Sequence, residues 1–96
     1  MTSKQRAYLR SLAMTENAIF QVGKGGINDN QIKQISEALE ARELVKISVL
    51  ETAPEFASEL GNVLAERTDS ELVQIIGSKI TLYRPRKKDP KIILPM

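Results

Sequence analysis

The segment Leu44-Val45-Lys46-Ile47-Ser48-Val49-Leu50 limits the fold most strongly, because all but two of its residues are branched and apolar. A run that short and that apolar reads as a mostly buried strand, with Lys46 and Ser48 facing away. Such a strand needs partners in a sheet and helices against it, and the flanking sequence supplies both. Upstream, Ile32, Ile35 and Leu39 recur at helical spacing as far as Arg42. Asn28 stands ready to cap that helix, and Gln31 completes a capping-box-like pair. Residues 18–22, with Ile19, Phe20 and Val22, stop at a glycine cluster and read as a strand. Residues 3–14 alternate Ala7, Tyr8, Leu9, Leu12 and Ala13 with Lys4, Arg6 and Arg10, an amphipathic helix with Ser3 as N-cap. Downstream, Thr52 and Pro54 mark a helix start, and Phe56, Leu60, Val63 and Leu64 form its apolar stripe, with Gly61 inside at some cost.

Residues 72–76 and 79–84 are two further strands separated only by Gly77 and Ser78, a glycine-first tight turn that makes them antiparallel. Beyond Tyr83, residues 84–96 contain Pro85, Pro90 and Pro95 and read as an extended basic surface segment. The expected order is an N-terminal helix followed by β-α-β-α-β-β. This is an α/β single domain over residues 1–96: a mixed four-stranded sheet packed with helices, its two strand-helix-strand units crossing over right-handed. A chain of 96 residues buries roughly 60–65% of its unfolded surface, enough for one core.

Several function classes are closed by what the chain lacks. With no cysteine and no histidine, neither disulfides nor the usual zinc ligand sets can be built. The usual nucleophile and base pairs are missing too, so an enzyme is not expected and no cofactor or metal is implied. No apolar run approaches the ~18–20 residues of a membrane span, and the start leads into no signal-like segment. A cytoplasmic location with no membrane contact is the expectation.

The net charge of +2 hides a strong polarity. In residues 1–26, Lys4, Arg6, Arg10 and Lys24 stand against Glu16 alone. In residues 78–96, Lys79, Arg84, Arg86, Lys87, Lys88 and Lys91 stand against Asp89, so the two ends together carry +8. Residues 27–77 hold ten carboxylates against Lys33, Arg42, Lys46 and Arg67, a net of −6. If the ends meet in space they form a basic face opposite an acidic one, the footprint of a polyanion binder. Solvated charge at both ends is the plainer alternative.

Gly23, Lys24, Gly25 and Gly26 lie between a predicted strand and a predicted helix. Glycines there let another backbone approach, the helix start offers free N–H groups and a positive dipole end, and Lys24 adds a full charge. A nucleic-acid phosphate suits that arrangement, although the same glycines also suit a plain tight turn. The P-loop pattern fails because Lys24 precedes Gly25 and no hydroxyl residue follows, and the dinucleotide fingerprint fails at Asn28. A KH-type loop joins two helices, whereas here a strand comes first.

Lys4-Gln5-Arg6, Tyr8-Leu9-Arg10-Ser11-Leu12-Ala13, Gln21-Val22-Gly23-Lys24-Gly25-Gly26, Glu43-Leu44-Val45-Lys46-Ile47, Gln74-Ile75-Ile76-Gly77 and Leu82-Tyr83-Arg84-Pro85 occur in that order. With these six blocks the chain resembles the YhbY-like CRM-domain proteins over nearly all its length. The resemblance implies a fold like the C-terminal domain of bacterial translation initiation factor three. It also implies association with precursors of the large ribosomal subunit or, in plant organelle relatives, intron splicing, and no catalysis. The family's GxxG loop falls on Gly23, Lys24, Gly25 and Gly26, its basic helix on Lys4, Arg6 and Arg10, and its basic C-terminal end on Arg84, Arg86, Lys87 and Lys88. Met14 and Ala18 depart from the histidine and proline that relatives often carry.

The expected partner is therefore structured RNA, contacted mainly through its backbone and without DNA specificity. Only Tyr8, Phe20, Phe56 and Tyr83 are aromatic, and Phe20 and Phe56 are expected in the core, which leaves few platforms for stacking unpaired bases. A second class is an adaptor that docks a basic protein through Glu37, Glu40, Glu55 and Glu59, residues that equally suit a solvated helix face.

Overall fold

Strand β2 (Leu44–Val49) is an interior strand and buries both of its faces. The computed structural model describes residues 1–96 and orders the remaining elements as α1 (Ser3–Ala13), β1 (Phe20–Val22), α2 (Asp29–Arg42), α3 (Ala57–Arg67), β3 (Glu71–Ile76) and β4 (Lys79–Tyr83). The sheet order is β1-β2-β4-β3. β1 pairs parallel to β2, while β4 runs antiparallel to both β2 and β3. The hairpin therefore does not simply extend the sheet: β4 folds back into the gap between β2 and β3. Gly77 makes this reversal at φ +58°, a backbone region costly for a residue with a Cβ.

Val45, Ile47 and Val49 face one way and join Ile32, Ile35 and Leu39 of α2, Leu60 and Leu64 of α3, and Ile80 and Leu82 of β4 in the main core. Leu44 faces the other way, with Leu9 and Ala13 of α1, Val73 and Tyr83. The period-two alternation of β2 thus separates two helix layers, α2 and α3 on one side and α1 on the other. An irregularity in β3 at Val73 breaks the register between Leu72 and Gln74, and the buried Val73 side chain joins the α1 side.

Several local expectations are corrected. The N-cap of α1 is Thr2, not Ser3, and the box closes with Gln5, whose side chain accepts from Thr2 N while Thr2 Oγ1 accepts from Gln5 N. Asn28 caps α2, but the Gln31 amide donates instead to Gln21 O at 3.1 Å, which ties α2 to β1. α3 begins after Phe56, and neither Phe56 nor Val63 is in the core. Its packed stripe is Ala57, Leu60, Gly61 and Leu64. A methyl group on Gly61 would lie 2.8 Å from Ile75 Cδ1, so the missing side chain lets α3 approach β3 closely. Lys46 and Ser48 do turn from the main core, yet Lys46 is half-buried and Ser48 buried under the opposite layer. No helix is long and apolar enough to cross a membrane.

Candidate nucleic-acid interface

β1 ends at Val22, where Leu50 N donates to Val22 O, and the glycine loop begins. Gly26 N closes the loop onto Gly23 O at 2.9 Å, and Gly26 takes φ +69° to lead into Asn28. A methyl group on Gly26 would lie 3.3 Å from Pro54 Cγ, so this glycine answers both to its dihedral and to the β2–α3 connection beside it. Lys24 and Gly25 are exposed. Two carboxylates border the site. Asp29 occupies the first turn of α2 and pairs with Arg67 at 3.0 Å, and Glu55 Oε1 would be 3.9 Å from the same methyl group.

α1 carries no carboxylate. Lys4 and Arg10 are exposed on it, whereas Arg6 shares the inward face with Leu9 and Ala13. Its Nη1 donates to the carbonyls of Leu72 and Val73 at the irregularity of β3. That guanidinium holds α1 on the sheet. Arg6→Ala is expected to lower stability by about 1.5–3 kcal/mol, the range for hydrogen bonds to charged groups, as read from urea melts.

The C-terminal segment is held by a residue to which sequence reasoning gave no role. Glu43 ends α2 at φ +68° and is buried. Its carboxylate accepts from the backbone N–H groups of Arg86 at 3.1 Å, Lys91 at 2.7 Å and Ile92 at 3.0 Å. Burial pushes its pKa up, but these three donors and the Arg86 charge outweigh burial and leave it lowered. Neighbouring Tyr83 is raised, by burial first and by the Glu43 charge second. Ile92 and Leu94 then pack against the α1 cluster, so the two basic ends do meet. Arg84 is turned inward. Its guanidinium donates to Ser36 Oγ at 3.0 Å, Ser36 O at 2.7 Å and Thr68 O at 2.7 Å, with Glu40 at 3.5 Å. Lys87 and Lys88 are exposed and Arg86 is half-buried.

The antiparallel course of β4 separates the two halves of the expected site. Tyr83 lies beside Leu44 and Lys79 beside Ser48, so Arg84, Arg86, Lys87 and Lys88 leave the sheet at the end opposite the glycine loop. Between those ends, on the α1 side, the strands present two rows: Gln21, Ser48 and Lys79, with the exposed Ile76 beside Lys79, then Lys46, Thr81 and Gln74. Neither row contains a carboxylate. Lys46 Nζ donates to Ala13 O at 3.0 Å and Glu16 O at 3.4 Å, neutralising the C-terminal end of α1, and Lys79 Nζ donates to Ser48 Oγ at 3.2 Å. Thr81 Oγ1 is buried there without a partner. Lys46 and Lys79 were not singled out as site residues. Their signal was a polar alternation within otherwise apolar strands.

Charge segregation along the chain thus becomes segregation between layers. Lys4, Arg6, Arg10, Lys46 and Lys79 lie on the α1 side of the sheet, against Glu16 after α1 and Glu71 beside Tyr83. The α2/α3 layer holds Asp29, Glu37, Glu40, Glu59 and Glu66 against Lys33, Arg42 and Arg67.

Known proteins resemble this chain in sequence and in fold. The CRS1 / YhbY (CRM) domain matches residues 1–84. The probable RNA-binding protein YqeI of Bacillus subtilis is 52% identical over 95 residues, which cover 99% of each chain. An RNA-binding protein of Haemophilus influenzae is 32% identical over 95 residues, covering 99% of this chain and 95% of that one. The solution structure of the hypothetical protein SAV1595 from Staphylococcus aureus superposes with a TM-score of 0.82 at 54% identity, over 99% of both chains. The layered sheet, the glycine loop and these matches lead to one assignment: the chain belongs to the CRS1/YhbY (CRM) domain family.

Proposed function

We propose that this domain binds structured RNA through the α1 side of its sheet, without catalysis, during assembly of the large ribosomal subunit. The charge separation between the two layers carries the reading. A polyanion approaching the α1 side meets Lys4, Arg10, Lys46 and Lys79, with Lys24 at one end and the Arg86 to Lys88 segment at the other, where Lys87 sits beside Glu37 and Glu40 of α2. Gly23, Lys24, Gly25 and Gly26 act as the backbone clamp at the upper end. Gly25 supports this part, since a methyl group there would meet no atom within 4 Å and nothing in the fold requires a glycine. Arg6 and Arg84 serve the site indirectly, Arg6 by seating α1 and Arg84 by anchoring the root of the basic segment. The relatives named as RNA-binding proteins support the same reading. The adaptor alternative is less favoured, because Glu40 is already engaged by Arg84 and by Lys87 N.

The test is binding to precursor large-subunit RNA across a salt series, for the wild type and for Lys24→Asp. Each lost phosphate contact should flatten the slope of log K against log salt by roughly 0.7–0.9. Lys24→Asp is expected to bind more weakly, with a slope shallower by about one such contact. Unchanged affinity and slope in a folded variant would remove the glycine loop from the interface.

A further inference from the structure

Phe56 occupies the N-cap position of α3, where a side chain that accepts a hydrogen bond is normally found, and it makes no cap hydrogen bond. Nor is it compensated by burial, since the residue is 76% exposed. A residue that forfeits a cap and displays an aromatic ring to solvent answers to something outside the chain's own stability. Phe56 borders a cleft of about 800 Å³, lined also by Leu50, Pro54 and Ile75 and by Glu51 and Glu55. The cleft adjoins the glycine loop. A methyl group on Gly23 would lie 3.7 Å from Leu50 Cδ1, and one on Gly26 would lie 3.3 Å from Pro54 Cγ.

With two glutamates and no cation among its lining residues, this cleft does not suit phosphate, unlike the glycine loop with its exposed Lys24. An aromatic face, apolar walls and carboxylate acceptors instead match a nucleobase, which offers a flat π surface for stacking and amino or imino donors at its edge. We propose that the cleft takes one unpaired base of the RNA whose backbone lies on the glycine loop, stacked on Phe56 with its donor edge toward Glu51 and Glu55. Guanine fits best, because its adjacent N1–H and N2–H donors match the two oxygens of one carboxylate, and uracil fits worst. The proposal rests on the RNA-binding reading and adds to it a preference for a base that has left the helix.

The probes are a fully paired RNA duplex and the same duplex carrying a single bulged guanine or a single bulged uracil. Wild type is expected to prefer the guanine bulge. F56A should weaken that complex by about 5- to 150-fold, the range for loss of one base–aromatic stack, while duplex binding stays unchanged. E55Q should narrow the preference for guanine over uracil. The chain has no tryptophan, so F56W provides a single indole whose fluorescence should be quenched by the bulged RNA and not by the duplex. Equal affinity of wild type and F56A for the guanine bulge, with no quenching in F56W, overturns the base site. It would leave RNA binding intact and the cleft to an apolar protein contact. Failure to bind any of the three RNAs overturns the RNA reading itself.

Discussion

Arg84→Ala is expected to lower the stability of the domain by about 3 kcal/mol or more while leaving the RNA affinity of the folded protein nearly unchanged. The Arg84 side chain is only 18% exposed, and its guanidinium joins three elements. It leaves the end of β4, donates twice to Ser36 of α2, and meets the carbonyl of Thr68 just past the last turn of α3. Removing it strands Thr68 O, past the last turn of α3, in a partly buried site, takes an extra donor from Ser36 and leaves Glu40 without its cation. It also withdraws a positive charge from the negative end of the α3 dipole. Lysine should not substitute, because a single ammonium cannot span Ser36 and Thr68 as a planar fork does. Urea melts of wild type, R84A and R84K decide the matter when combined with RNA titrations at a temperature where all three are folded. An unchanged melting midpoint with reduced RNA affinity would instead return Arg84 to the phosphate-contacting set.

That contrast shows where sequence reading stops. Arg6, Arg10 and Arg84 look alike as letters in basic blocks, but only Arg10 is exposed. For Arg6 a signal existed: it stands three residues before Leu9 and seven before Ala13, the spacing of the buried face of α1. For Arg84 there was none, since its partners lie 48 and 16 residues away and depend on where β4 enters the sheet. Local features were legible for the same reason in reverse. The Asn28 cap, the glycine turn and the buried character of β2 are set by neighbours within a few residues. The insertion of β4 between β2 and β3 is a long-range event, and it sends the basic segment to the end of the sheet opposite the glycine loop. The two basic ends could be expected to meet, but not in what order along the surface. Phe56 was misplaced because it was read into the apolar stripe of a helix starting at Pro54, and its exposure follows from α3 starting three residues later, at Ala57.

Glu43→Ala should free the C-terminal segment and cost about 3 kcal/mol, because three backbone donors lose a charged acceptor at once. Backbone strain complicates that figure. Glu43 sits at φ +68°, where a residue with a Cβ is disfavoured by about 1–2 kcal/mol relative to glycine. Glu43→Gly therefore separates the contributions: it relieves the backbone and removes only the carboxylate. Stability is expected in the order wild type, Glu43→Gly, Glu43→Ala. Hydrogen exchange at the Lys91 and Ile92 amides should accelerate in both variants. The pH dependence has a definite sign. A carboxylate whose folded pKa lies below its ordinary 4.5 contributes fully above that value, and its contribution fades as pH falls through the lowered one. Segment docking should thus be constant through neutral pH and weaken only under acid, with Lys91 and Ile92 exchange rising first. Tyr83 sets the opposite limit, since its raised pKa stabilises the fold below 10.0 and ceases to do so as pH climbs through the raised value. In both Glu43 variants Arg86, Lys87 and Lys88 become tethered loosely, so RNA affinity should fall by several-fold with the salt slope reduced. Glu43→Gly as stable as wild type, with unchanged exchange at Lys91, would show that the segment is held by Ile92 and Leu94 against α1 and not by the carboxylate.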